Sequence, residues 1–151
     1  SMTAWFSMTA GAGTYRCVLH NGTATSVGGS SFWIGVSGGN NYVATIGATS
    51  VGWAAGDTAI PVVYGEWVQM GATWDGSNVR VYKDGEFIKT YALGTYTDQP
   101  TATTRVGASS DTGNYQVLGD VSTVKMFHNV VLSDDEVLQN FNAQKGRFNL
   151  E

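Results

Sequence analysis

The chain has 151 residues, 13% of them charged, with a net charge of -4, and its 8 Lys and Arg are scattered. That length suits one domain, and that balance excludes the basic footprint of a nucleic-acid binder. A single cysteine, Cys17, excludes an intrachain disulfide and a zinc site of several thiolates, and no apolar run approaches the ~18–20 residues of a membrane-spanning helix.

No charged leader followed by an apolar stretch opens the chain, so no signal peptide is read. Ser1-Met2 reads as a cloning remnant and Leu150-Glu151 as another, which leaves a domain over residues 3–149 of the kind excised from a larger protein. Short apolar segments broken by Gly, Asn, Asp and Ser then predict strands at Thr3–Met8, Tyr15–His20, Ser31–Val36 and Tyr42–Ile46. Ile60–Val63 predicts a further short strand, and Gly47–Asp57 a strand of uncertain length running into a loop. Val68, Met70, Ala72 and Trp74 alternate with Gln69, Gly71 and Thr73, the period of a half-buried strand. Asp75-Gly-Ser-Asn78 predicts a turn. Asp84-Gly85 predicts a two-residue hairpin turn, because a type I′ turn needs positive φ at both central residues. Phe87–Tyr91 is the return strand, so three strands form a meander. Thr103–Gly107, Tyr115–Leu118 and Val121–Phe127 predict the last strands. Ser133-Asp-Asp-Glu136 has the spacing of a capping box, Val137, Leu138 and Phe141 supply an apolar stripe, and Gly146 predicts the helix stop. Many short strands and one helix near the C-terminus predict an all-β, antiparallel two-sheet sandwich or barrel.

Two blocks carry a resemblance. Trp67-Val-Gln-Met-Gly-Ala-Thr-Trp-Asp-Gly-Ser-Asn-Val-Arg-Val-Tyr-Lys-Asp-Gly-Glu86 resembles the central hairpin of laminin G-like, concanavalin A-like jelly-roll domains. Gly119-Asp-Val-Ser-Thr-Val-Lys-Met126 resembles their late strand, and Val131–Val137 with Asn140-Phe-Asn142 resembles their closing helix. The resemblance implies a jelly-roll sandwich. It departs from the family at Ser122-Thr123, where Asp-Glu is common, and in having little before Trp5, where the family adds a strand; either the chain is trimmed there or that edge is closed by another chain.

Glucanases of this fold cleave with paired acids on a Glu-x-Asp-x-x-Glu strand. Only Glu66, Glu86, Glu136 and Glu151 are present and none begins that motif, so no enzyme is predicted. Tyr15, Cys17 and Leu19 share a predicted strand face, which makes Cys17 a small buried hydrophobe. His20 and His128 end strands and are predicted at the surface or in turns, with no nucleophile beside them. Asn21-Gly-Thr23 matches a glycosylation sequon, which a turn explains equally. Some laminin G-like domains hold one calcium ion at the hairpin position resembling Asp84. The resemblance therefore implies Asp84 as a ligand, against the competing reading that it serves only its turn, with Asp111, Thr112 and Asn114 the oxygen-rich residues of a nearby loop and Asp57 a weaker candidate. Carbohydrate binding asks for aromatic faces beside amides and carboxylates. Trp53, Tyr42, Tyr96 and Tyr115 supply the first, and Asn40, Asn41 and Asp57 the second, while Trp67 and Trp74 are assigned to the core. The expectation is a non-catalytic glycan-binding or adhesion module, extracellular, at a cell surface or on a virion. A structural domain of a virion or surface assembly is the alternative, and a homo-oligomer is left open. No nucleic acid and no membrane insertion are expected.

Overall fold

A computed structural model describes residues 1–11, 13–22, 30–47, 53–93, 103–109 and 115–150. The strands are β1 (Met2–Met8), β2 (Arg16–Gly22), β3 (Ser30–Val36), β4 (Asn41–Ile46), β5 (Asp57–Pro61), β6 (Trp67–Trp74), β7 (Asn78–Lys83), β8 (Glu86–Ala92), β9 (Thr103–Val106) and β10 (Gly119–Met126), followed by helix α1 (Asp134–Lys145). They form two five-stranded sheets of order β10-β1-β6-β7-β8 and β5-β4-β3-β2-β9. Every pairing is antiparallel. The expected sandwich with one C-terminal helix is what forms.

The core lies between the sheets, where Phe6, Met70, Val79, Val81, Ile34, Val36 and Ala44 are at most 1% exposed. Each large apolar side chain so buried contributes about 1.5–3 kcal/mol. Period-2 alternation decides which side chains enter. In β4, Tyr42, Ala44 and Ile46 join this core, while Val43 packs on the opposite face with Cys17 and Trp33.

The outer face of the first sheet is also covered. Helix α1 and the 3₁₀ turn Gly146–Phe148 lie over it: Trp5 stacks on Phe141 and Phe148, and Trp67 packs on Phe148. Gln69 and Thr73, on the outer side of β6, are each 2% exposed as a result. The strand predicted to be half-buried is therefore buried on both faces. The capping box forms in full, with Ser133 Oγ accepting from the Glu136 amide and Glu136 Oε2 accepting from the Ser133 amide at 2.8 Å. Arg80 adds a bidentate contact to Asp134, whose Oδ1 also accepts from the Tyr82 hydroxyl.

Several expectations are corrected. The helix does stop at Gly146, its C-cap, which stays right-handed at φ -62 and starts the 3₁₀ turn, and the left-handed residue is Asn149, at φ 56. Leu138 is 42% exposed and stands outside the buried stripe of Val137 and Phe141. Residues 115–118 form no strand, and the strand expected at 60–63 runs instead over Asp57–Pro61. Within 47–57, a 3₁₀ turn at Trp53–Gly56 precedes β5. β1 is an interior strand flanked by β10 and β6, so the open edge belongs to β10 and not to the Trp5 strand. Whatever their origin, Ser1 and Met2 contact the fold: Met2 is 3% exposed opposite Ala72, and the Ser1 amine donates to the carbonyls of Phe127 and Val130.

Candidate functional site

Among the described residues no helix lies over the outer face of the second sheet. Cys17, Trp33 and Val43 on that face are at most 1% exposed, and Tyr15 and Tyr115, half-buried, pack against them. A bulge in β2 builds this arrangement. The register slips between Cys17, opposite Gly35, and Leu19, opposite Ile34, so Cys17 faces outward and Leu19 inward. The expectation that Cys17 and Leu19 share a face fails for this reason. At Gly35 a Cβ would lie 1.9 Å from the Arg16 carbonyl oxygen, so only glycine lets the chains approach there. Burial pushes the Cys17 thiol up to about 12, against weaker opposing hydrogen bonds from Ser109 and Trp33, so it is no nucleophile.

Tyr115, with φ 55, is tied to β2 because its carbonyl accepts the Cys17 amide at 2.8 Å. Its ring meets Tyr15 edge to face, centroids 5.7 Å apart, and Tyr15 in turn meets Trp33 edge to face. Both tyrosines stay half-buried. The Tyr15 ring runs beside the turn that joins β3 to β4, where a Cβ on Gly38 would touch it at 3.2 Å. Asp57, paired with Val43 at the sheet edge, is near enough that its charge raises the Tyr15 pKa, after burial and Tyr115. Asp57 Oδ1 accepts from the Ala59 amide at 2.8 Å. Asn41 lies on the same turn and, by alternation against the inward Tyr42, on the same outer face.

Of the residues expected at a site, the structure thus brings Asn40, Asn41, Asp57 and Tyr115 to one end of this sheet. Tyr42 does not belong with them. It is 2% exposed, its ring meets Phe6 edge to face, and its hydroxyl accepts from the Val63 amide, so stacking on a sugar would empty the core. Two aromatic residues were missed. Tyr15 takes the place assigned to Tyr42. Tyr64, 39% exposed, donates its hydroxyl to Asn40 Oδ1 at 2.6 Å. The signal for Tyr64 is its position between a strand and Gly65, where no core periodicity holds it. Tyr96, Asp111, Thr112, Asn114 and the Trp53 side chain lie outside the described residues. His20 was expected at the surface but is 1% exposed, aligned between Trp33 and Arg105. Trp67 and Trp74 are half-buried; Trp74 packs on the core, whereas Trp67 lies on the outer face beneath Phe148.

The Asp84 carboxylate already has two partners. Its Oδ1 accepts from the Gln69 amide at 2.8 Å and its Oδ2 holds the Lys83 ammonium, so a cation would have to displace a lysine. Asp84 and Gly85, at φ 52 and 81, are the positive-φ pair of the expected hairpin turn. Among the described residues no three His, Cys, Asp or Glu converge as a metal site.

A family model described as the concanavalin A-like lectin/glucanases superfamily matches residues 1–138. No curated protein matches the chain in sequence. Trypanosoma rangeli sialidase in complex with sialic acid aligns with a TM-score of 0.67 at 16% identity, over 95% of this chain and 23% of that one. The CBM40 of Ruminococcus gnavus IT-sialidase aligns at 0.61 and 15% identity, over 93% of this chain and 80% of that one. Domain 4 of AbnA, a GH43 extracellular arabinanase from Geobacillus stearothermophilus, in complex with arabinotriose, aligns at 0.59 and 16% identity, over 91% and 64%. The chain thus spans 23% of the length of the sialidase it matches. At these identities the likenesses show the fold.

Proposed function

Because the chain belongs to the concanavalin A-like lectin/glucanases superfamily, we propose that it is a non-catalytic carbohydrate-binding module, taking a sugar on the outer face of its second sheet beside the β3–β4 turn. The observation that carries this is the half-buried Tyr15–Tyr115 pair set beside Asp57 and Asn41. Aromatic rings accept the C–H face of a pyranose or furanose, and a carboxylate and an amide direct hydrogen bonds to its hydroxyls. The similar arabinanase domain was solved with arabinotriose and the similar sialidase with sialic acid, which supports the class of ligand. A place outside the cytoplasm, on a secreted enzyme or a surface protein, follows from the same reading; no helix among the described residues is long and apolar enough to cross a membrane.

The non-catalytic reading is supported by what the acids do. Glu136 and Asp134 hold the start of α1, Asp84 its hairpin, and Asp75 Oδ1 the amides of Ser77 and Asn78. Glycoside hydrolysis needs two carboxyls about 5–9.5 Å apart across a bound sugar, and these four are committed to the backbone or to a cation. The test is a glycan array followed by titration calorimetry. Tyr115→Ala and Asp57→Asn should each weaken binding of the best ligand about tenfold or more, the loss expected for a stacking face or a charged hydrogen bond, with melting little changed. A protein silent across the array, or variants that bind as the parent does, would overturn the reading.

A further inference from the structure

The side of the sandwich where β9 and β10 lie is not sealed. Among the described residues β10 pairs only with β1, and β9 only with β2, so both are edge strands. Because β1 contacts β2, and β6 and β7 contact β3 and β4, these two edges fall on the same flank. Val106 sits opposite Leu19, which is 1% exposed in the core, so Val106 faces inward as well, yet it is 56% exposed. Val121 and Val124 pack on the core but are only half-buried, and Met126 and Leu118 are 52% and 38% exposed. An inward-facing valine left more than half in water beside an unpaired strand marks a surface that another chain covers.

The sequence of β10 says which chain. We propose that the protein forms a two-fold symmetric dimer in which β10 pairs antiparallel with β10 of a second copy, Asp120 of each opposite Lys125 of the other. A two-fold axis between Ser122 and Thr123 sets Asp120 against Lys125, Val121 against Val124, and Gly119 against Met126. Opposite charges and β-branched residues then meet across the strands, both favourable pairings.

The bulge in β10 makes this register consistent in its faces. Residues opposite one another in a sheet point the same way, and in a regular strand positions 120 and 125 point opposite ways. Here Thr123 pairs with Trp5 and Val121 with Phe6, so Ser122 is the extra residue. As a result Asp120, opposite Ser7, and Lys125, opposite Thr3, share the outer face with Trp5, while Val121 and Val124 share the inner face with Phe6 and Ala4. The two copies of the bulge meet at the axis with equal residues on each side, so the ladder stays in register at both ends. The pairing satisfies the free amides and carbonyls of the edge and brings the valines of both copies together over the open flank. The Lys125 ammonium lies 3.4 Å from Asn140 Oδ1, a weak contact that a carboxylate can replace. This proposal rests on the sheet edge alone, independent of any glycan.

Sedimentation velocity over a concentration series tests it. The parent should associate reversibly to a dimer. Asp120→Lys and Lys125→Asp each place like charges opposite at two symmetric positions and should weaken the dimer about tenfold or more; the double exchange should restore it. Amide hydrogen exchange of the parent should slow over Asp120–Met126 as concentration rises, a readout that does not depend on the variants folding. A parent that stays monomeric would overturn the proposal. So would a dimer indifferent to the single reversals, or exchange at β10 that is independent of concentration.

Discussion

Trp5 and Phe148 stack with ring centroids 4.3 Å apart and planes within 23°. One lies near the start of the chain in β1 and the other in the last 3₁₀ turn, so the contact closes the C-terminal segment over the outer face of the first sheet. Phe141 stacks on the same indole at 5.4 Å, and Trp5 is 1% exposed. Trp5→Ala should therefore lose about 3–5 kcal/mol of stability, as for a large aromatic removed from a closed site. Phe148→Ala removes one half-exposed ring of the stack and should lose about 1–2 kcal/mol. Urea unfolding of both variants checks the order. If Phe148→Ala were the costlier of the two, Trp5 would not be the centre of that cluster.

The residues around Asp84 predict indifference to calcium. Its carboxylate accepts from the Gln69 amide, which ties the β7–β8 turn to β6, and neutralises the neighbouring Lys83. Asp84→Ala should lower the melting temperature by the same amount in millimolar calcium and in chelator, because the loss is that of a turn. A rise in melting temperature with calcium in the parent that Asp84→Ala abolishes would restore the metal reading.

The fold was legible because its signals are local. The alternation of Val68, Met70, Ala72 and Trp74, the Asp84-Gly85 turn and the Ser133–Glu136 box each specify their element within a few residues. What escaped depends on neighbours far along the chain. Gln69 reads as a solvated position until the helix that covers it, some seventy residues later, is in place. The bulge at Val18 reverses the faces of Cys17 and Leu19, and nothing in Arg16–His20 announces it. For the same reason the surface positions of the proposed site were legible only in part. Asn40, Asn41 and Asp57 read as turn residues because polar residues beside glycine mark turns, whereas the aromatic place was assigned to Tyr42, whose parity with Ala44 and Ile46 puts it inside. Applying that parity to the loop residues first would have excluded Tyr42 and left Tyr15 and Tyr64.

His20 yields a prediction about acid. It is 1% exposed on the outer side of β2, with Trp33 and Arg105 as its cross-strand neighbours. Burial, and secondarily the Arg105 charge, lower its pKa to about 4 from an ordinary 6.5. The folded state thus holds the imidazole neutral where the unfolded chain would protonate it. Stability from this group is present in full above pH 6.5 and declines as pH falls below it, because the unfolded state then binds the additional proton. By pH 4 the loss should reach about 3 kcal/mol. Glu136 is lowered by the hydrogen bonds of its cap and Asp75 by those of its turn, so their own losses begin only as pH falls to the ordinary carboxylate range and continue below it, which leaves most of the interval between pH 6.5 and 4.5 to the histidine. His20→Gln cannot take up that proton. It should be less stable than the parent at pH 7, since the imidazole packing is lost, but its stability should change little between pH 6.5 and 4.5. Urea unfolding at several pH values in that interval distinguishes the cases, and equal slopes for parent and variant would show that His20 is not the group that titrates.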